Sequence, residues 1–218
     1  MEWAVLQGLS DKDRTEVLRA ARRRRFTRNE VVFHEGDPAD TAHLLAKGRV
    51  SVTITTPLGD KAMLAVLGPG AVFGELALLA EEPVRSATIT ALEATETLSL
   101  SRAQFEGLRR EHRTTDRFLV EALASALRDM SQRLLEALYV PADTRIVRRV
   151  QQLAAEYSDG RAETMIPLTQ EALASMAGTA RPTANRVLRA LESDGLVRVG
   201  RGRITVLDAE ALRIRARA

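Results

Sequence analysis

The chain has 218 residues, room for two modest domains each with its own core. It has no cysteine, which excludes disulfides, Cys-ligated zinc, iron–sulfur clusters and thiol catalysis together; no window is long and apolar enough to span a bilayer, and the opening MEWAVLQGLSDKDRTEV carries early acids and no apolar core, so neither a membrane partner nor a secretory leader is expected and a cytoplasmic location follows. Charge is uneven, with 13 Lys and Arg against 9 Asp and Glu in residues 141–218 and 19 against 20 in the rest, a basic excess that points toward nucleic acid but is too modest to decide anything alone.

In chain order, residues 11–25 read as a helix with Val17, Leu18 and Ala21 on one side. The RRRR run at 22–25 ends it, where positive charge suits the helix dipole. From Glu30 to Leu100 the grain changes to short apolar or alternating runs cut by Gly-Asp-Pro, Lys-Gly, Leu-Gly-Asp and Gly-Pro-Gly, which is strand–turn punctuation. RVSVTITT alternates, with Val50, Val52 and Ile54 facing one way and Ser51, Thr53 and Thr55 the other. ATITALEATETLSL repeats the pattern, and several short strands at this spacing predict a small antiparallel barrel or roll.

Residues 114–139 switch to helical period. Val120, Leu123, Leu127, Met130, Leu134 and Ala137 recur at intervals of three and four, a heptad seam, and Leu119, Ala122, Ala126 and Leu138 form a second apolar stripe. A helix with two apolar faces needs two partners, its own roll and a second copy of itself, so a homodimer is expected. Pro141 disfavours helix at Val140 and places a hinge there. The expected division is therefore residues 1–140, a roll with a long dimerisation helix over about 114–140, and residues 141–218.

The last segment starts with a helix over roughly 142–158 and an SDG turn. Thr169 is placed to cap a short helix through Met176, Gly178 marks a tight turn, and a second helix starts near Ala180 with Val187, Leu188 and Leu191 inward. Pro182 falls in its first turn, where proline is tolerated. GLVRVGRGRITV alternates around Gly200-Arg201-Gly202 as a two-stranded wing, completing a winged helix-turn-helix. Arg181, Asn185, Arg186 and Arg189 lie along the second helix opposite its apolar residues. Arginine reaches guanine O6 and N7 with two bonds and asparagine pairs with adenine N6 and N7. Thr169, Gln170 and Thr183, at helix starts, suit phosphate contacts, and Arg198, Arg201 and Arg203 of the wing suit the DNA backbone. A solvated amphipathic helix is the bland alternative; the capped helix, Gly turn and basic hairpin around it favour DNA.

FGELALLAEEPVRSATITA, residues 73–91, places an acid (Glu75), a base (Arg85) and a hydroxyl (Ser86) around one apolar turn. Such a stretch is either a solvated loop with a surface ion pair, or a pocket with a place for an anion and a place for a hydroxyl. FGELALL followed by RSATITA resembles the phosphate-binding cassette of cyclic-nucleotide-binding domains, with GDPAD, KGRV and LGPGAVFGE before it fitting the same pattern. The order of roll, long helix and winged helix resembles regulators of the Crp–Fnr family over nearly the entire chain.

The resemblance implies an α+β fold and a double-stranded DNA partner with two-fold related half-sites. It also implies a homodimer, RNA polymerase as a further partner and cyclic AMP as allosteric ligand. It implies that Glu75 accepts from the ribose 2′-hydroxyl, that Arg85 and Ser86 hold the cyclic phosphate, and that backbone over Gly74, Glu75, Leu76 and Ala77 approaches the nucleotide. By offset from Arg145, Ser131 on the long helix would meet the base; Met130 stands where the family has a polar residue. Arg181 and Arg186 match the family's base-reading arginines, whereas Pro182 replaces an acid of its best-known members. Within the family, an effector-independent regulator with a vestigial pocket and a haem sensor are the alternatives. The histidines, His34, His43 and His112, show no metal spacing. An enzyme is disfavoured, since Glu81 and Glu82 come with no nucleophile–base arrangement.

Overall fold

The computed structural model describes residues 3, 6, 9–79, 83–111, 116–158 and 160–216. It divides into two compact units, residues 1–61 with 65–130 and residues 62–64 with 131–218.

The first unit opens with α1 (Asp11–Ala20), whose N-terminus Ser10 caps by accepting from the Asp13 amide. The helix stops there. Arg22–Arg25, expected to close it, instead belong to strand β1 (Arg22–Phe26), paired antiparallel with β8 (Thr95–Ser101). Cross-strand pairing outweighs the helix dipole: Arg23 and Arg25, two residues apart on one face, both donate to Glu96 at 3.0 Å.

The remaining strands are β2 (Val31–Phe33), β3 (Thr41–Lys47), β4 (Val50–Thr55), β5 (Lys61–Leu67), β6 (Val72–Phe73) and β7 (Thr88–Ala91). They form two four-stranded sheets, ordered β1-β8-β3-β6 and β2-β7-β4-β5. β3 is buried on both faces, and period-two alternation sends its adjacent leucines to different cores. Leu44 joins Trp3, Leu6, Leu100 and Phe105, while Leu45 joins Val50, Phe73 and Ile89. The alternation of β4 separates core from solvent less cleanly than expected, because Ser51 is buried as well as Val50. Helices α2 (Arg102–Glu111) and α3 (Asp116–Tyr139) follow. Leu119 and Ala122 of α3 enter the first core, but Ala126 and Leu138, expected on the same buried stripe, are exposed. Thr114, the expected helix start, lies outside the described residues, as do Glu81, Glu82 and His112.

The second unit carries α4 (Ala142–Tyr157), with Pro141 at its N-cap. Arg145 donates to the Val140 carbonyl at 2.8 Å at the end of α3, and to the carbonyls of Ala177 (2.8 Å) and Gly178 (3.0 Å). Buried Glu136 of α3 pairs with Arg149. Next come β9 (Thr164–Ile166), α5 (Gln170–Met176), α6 (Arg181–Ser193), β10 (Val197–Gly200), β11 (Arg203–Val206) and α7 (Ala209–Arg215). Thr169 caps α5 through the Ala172 amide at 3.1 Å, and Gly178 turns the chain with φ 59°. Ala184, Val187, Leu188 and Leu191 of α6 are buried. The wing has three strands rather than the expected two, in order β10-β11-β9. In β9 Thr164 and Ile166 point in and Met165 out, a three-residue alternation too short to stand out in the sequence.

Candidate functional site

In the first unit a pocket of about 160 Å³ is lined by both halves of the 73–91 stretch: Phe73 to Ala77 on one side and Val84 to Ala87 on the other, with Phe33, Val52, Val72 and Ile89 beneath. Gly74 makes the turn into it. Its φ of 73° lies in the left-handed region, and a 3₁₀ helix, Glu75–Leu78, starts directly after it. Within this turn the Ala77 amide donates to the Gly74 carbonyl at 3.1 Å.

Arg85 is the central group. It is 6 % exposed, and its guanidinium carbon stands 3.9 Å from the centroid of the Phe33 ring. Nη1 donates to the Thr41 carbonyl at 2.7 Å and Nη2 to Thr41 Oγ1 at 2.8 Å. Nε is buried and has no hydrogen-bond partner. Burial lowers the Arg85 pKa, with the Asp40 and Asp37 carboxylates acting the other way. A buried cation with an unused donor is an unfavourable arrangement that an anion in contact would relieve. Glu75, also on the lining, is half-buried, and burial raises its pKa above the ordinary carboxylate range. Among the described residues no ion pair joins Glu75 to Arg85. The two charges therefore do not consume each other. Ser86 is exposed at the rim beside Arg85, as is Leu76, and Ala77 is buried. Ser131 is exposed on α3.

Sequence reasoning missed Phe33, Thr41 and His43. His43 is buried, stacks on Phe73 with ring centroids 5.1 Å apart, and faces Thr97 Oγ1 through Nδ1 (3.0 Å) and Thr41 Oγ1 through Nε2 (3.4 Å). The signal was present in TAHLL, where Thr41 and His43 occupy the same face of an apolar strand two residues apart. Burial first, then the Arg85 and Arg24 charges, lower the His43 pKa to about 4, so the ring is neutral. His34 is exposed just beyond β2. Among the described residues no group of three His, Asp or Glu is arranged to hold a metal ion.

In the second unit α6 presents Arg181, Arg186 and Arg189 outward, with Asn185 half-buried. Asn185 Nδ2 donates to Gln170 Oε1 at 2.8 Å, locking α6 to the start of α5. Arg186 meets Asp143 at 2.6 Å, Arg189 meets Glu192 at 3.1 Å, and Arg198 meets Glu163 at 3.5 Å. Among the described residues no acid pairs with Arg181 at the N-terminus of α6, or with Arg201 and Arg203 at the wing tip. Thr183 is half-buried in the first turn of α6. The unit thus exposes the arginines of α6 beside a basic hairpin, and among the described residues no helix is long and apolar enough to cross a membrane.

Residues 23–112 match the cyclic nucleotide-binding domain family, and residues 144–215 match the Crp-like helix-turn-helix domain. The cyclic AMP receptor protein of Thermus thermophilus is 32% identical over 208 residues, covering 95% of this chain and 94% of that protein. The chain belongs to the Crp–Fnr family of transcription regulators. The crystal structure of the Thermus thermophilus catabolite activator protein, 32% identical, covers 97% of each chain with a TM-score of 0.56. The solved structure of the c-di-GMP responsive global regulator CLP of Xanthomonas campestris covers 90% of this chain and 99% of its own with a TM-score of 0.75. At 23% identity it shows the shared fold alone. As a Crp–Fnr regulator the protein is a DNA-binding transcription regulator with a cyclic-nucleotide-binding domain, and not an enzyme.

Proposed function

We propose that this regulator binds cyclic AMP in the roll pocket and that the ligand controls DNA binding by a homodimer. The observation that carries the reading is the buried Arg85 guanidinium with an unpartnered Nε in a pocket that Glu75 also lines. A cyclic phosphate supplies the missing anion: Arg85 gives it a charge-assisted contact and Ser86 a hydroxyl. Glu75 would repel a phosphate and needs a donor, which the ribose 2′-hydroxyl provides. The backbone of Gly74, Glu75, Leu76 and Ala77 closes around the sugar-phosphate. The relative named a cyclic AMP receptor protein favours cyclic AMP among the cyclic nucleotides.

The functional division falls at Val140–Pro141, with residues 1–140 sensing and residues 141–218 binding DNA. Two chains pair through α3, where Val120, Leu127, Met130 and Leu134, four members of the heptad seam, are exposed. Two α6 helices then enter successive major grooves about 34 Å apart. Arg181 and Arg186 read bases, with Asn185 and Arg189 beside them. Thr169, Gln170, Thr183, Arg198, Arg201 and Arg203 hold the backbone. Cyclic AMP acts through its different affinity for the arrangements of the dimer that do and do not fit DNA. The protein works in the cytoplasm, where RNA polymerase is its further partner.

Calorimetric titration of the wild type with cyclic AMP and with its 2′-deoxy analogue tests the pocket. Saturable one-site binding, weaker for the deoxy analogue, is expected; absence of binding would overturn the reading.

A further inference from the structure

Thr41 and His43 stand behind Arg85 on β3, and the cassette resemblance assigns neither a role. Thr41 contributes two acceptors to one guanidinium, its carbonyl to Nη1 and its hydroxyl to Nη2. A hydroxyl that accepts from arginine still has its own proton to place. His43 Nε2, 3.4 Å away, is the acceptor the geometry offers. With Nε2 accepting, the proton of the neutral ring sits on Nδ1, which donates to buried Thr97 Oγ1 at 3.0 Å. The ring has little freedom to turn, because it is stacked on Phe73 with the two planes 2° apart. Thr97, His43, Thr41 and Arg85 are therefore linked in one chain of hydrogen bonds, with β8 and β3 holding its anchored end. Phe33 closes the face of the guanidinium. The chain engages Nη1 and Nη2 and leaves Nε as the unused donor.

We propose that Thr41 and His43 are positioning residues of the anion site, acting as one hydrogen-bonded unit that fixes the Arg85 guanidinium and so sets the affinity for the phosphate-bearing ligand. The proposal rests on cyclic AMP binding in the roll pocket. It asks for more than packing, since the hydroxyl of Thr41 matters and its methyl does not.

The test is calorimetric titration of cyclic AMP into the full-length wild type, Thr41→Val, Thr41→Ser, His43→Phe and the Thr41→Val/His43→Phe double variant at pH 7.5, with thermal melting of each unliganded protein. Thr41→Val keeps the shape and removes the hydroxyl; Thr41→Ser does the reverse. Expected are a five- to tenfold loss for Thr41→Val and for His43→Phe, near wild-type affinity for Thr41→Ser, and a double variant no weaker than Thr41→Val alone, the non-additivity of a single unit. If His43→Phe does not fold, the Thr41→Val and Thr41→Ser pair decides by itself. Wild-type affinity in Thr41→Val, or equal losses in Thr41→Val and Thr41→Ser, would overturn the proposal and leave the pocket assignment standing. A wild type that does not bind cyclic AMP removes both.

Discussion

Gly74 and Arg85 approach so closely that a Cβ on residue 74 would lie 2.8 Å from Arg85 Nη1 and 3.1 Å from the Thr41 carbonyl oxygen. The absence of a side chain at one end of the cassette is thus what admits the guanidinium at the other. Gly74→Ala carries two costs, a left-handed φ of 73° and displacement of Nη1 from Thr41. We expect cyclic AMP affinity to fall by at least about tenfold, roughly the worth of one charge-assisted bond. Calorimetry on the folded variant measures it.

Glu75 gives a pH prediction whose sign is unusual for a carboxylate. Burial raises its pKa in the folded protein above the ordinary carboxyl value of 4.5, so the folded state holds the proton more tightly than the unfolded one. Stability from this group is complete below pH 4.5 and is lost as pH rises through the raised value. Glu75→Gln removes that loss. The unliganded variant should melt higher than the wild type at pH 7 and level with it near pH 4, while binding cyclic AMP more weakly and discriminating less against the 2′-deoxy analogue. Melting curves at the two pH values check the first part; an unchanged difference between them would show that Glu75 is not the titrating group.

Leu127 and Leu134 of α3 are 59% and 58% exposed. A lysine at either position should leave the single chain folded, yet it would place a charge in the apolar seam between two copies. Sedimentation should show a wild-type dimer at roughly 10 μM and monomers for Leu127→Lys and Leu134→Lys, with the circular dichroism of the variants unchanged.

The arginines of the second unit divide by their present partners. Arg181, Arg201 and Arg203 meet no acid among the described residues, whereas Arg186 must leave Asp143 before it reads a base. Arg181→Ala and Arg186→Ala should each weaken binding roughly ten- to a hundredfold per half-site and relax preference at one base position. Arg201→Ala and Arg203→Ala should weaken all sequences alike and reduce the salt slope by about one per lost contact. Asp143→Ala should strengthen binding by no more than a few-fold, because the pair it breaks is exposed. Selection from randomised duplexes, followed by titrations at several salt concentrations, separates these effects.

The parts that were legible in the sequence are those written in local pattern. Thr169 capping α5, the Gly178 turn, the buried face of α6 and the hairpin at residues 200–202 all follow from spacings within one or two turns. Arg22–Arg25 misled because four like charges have no period, and their strand character comes from the ladder with β8, more than 70 positions away. β9 was invisible because three residues cannot display alternation against background. The backing of Arg85 was legible only in part: TAHLL puts Thr41 and His43 on one strand face, but their partners are distant, Arg85 44 positions from Thr41 and Thr97 54 from His43. The cassette supplied most of the pocket lining, Phe33, Ala39, Val52 and Val72 excepted, and was silent on what holds Arg85 there.

The central claim is that a ligand in the roll controls DNA binding, and one measurement addresses it directly. A duplex selected from a randomised pool with cyclic AMP present is titrated with the wild type and with Arg85→Ala, by fluorescence anisotropy, with and without saturating cyclic AMP. The account predicts that cyclic AMP raises wild-type affinity by about tenfold or more, the usual scale of coupling between two sites, and leaves Arg85→Ala unmoved. Equal wild-type affinity in the presence and absence of cyclic AMP would contradict it.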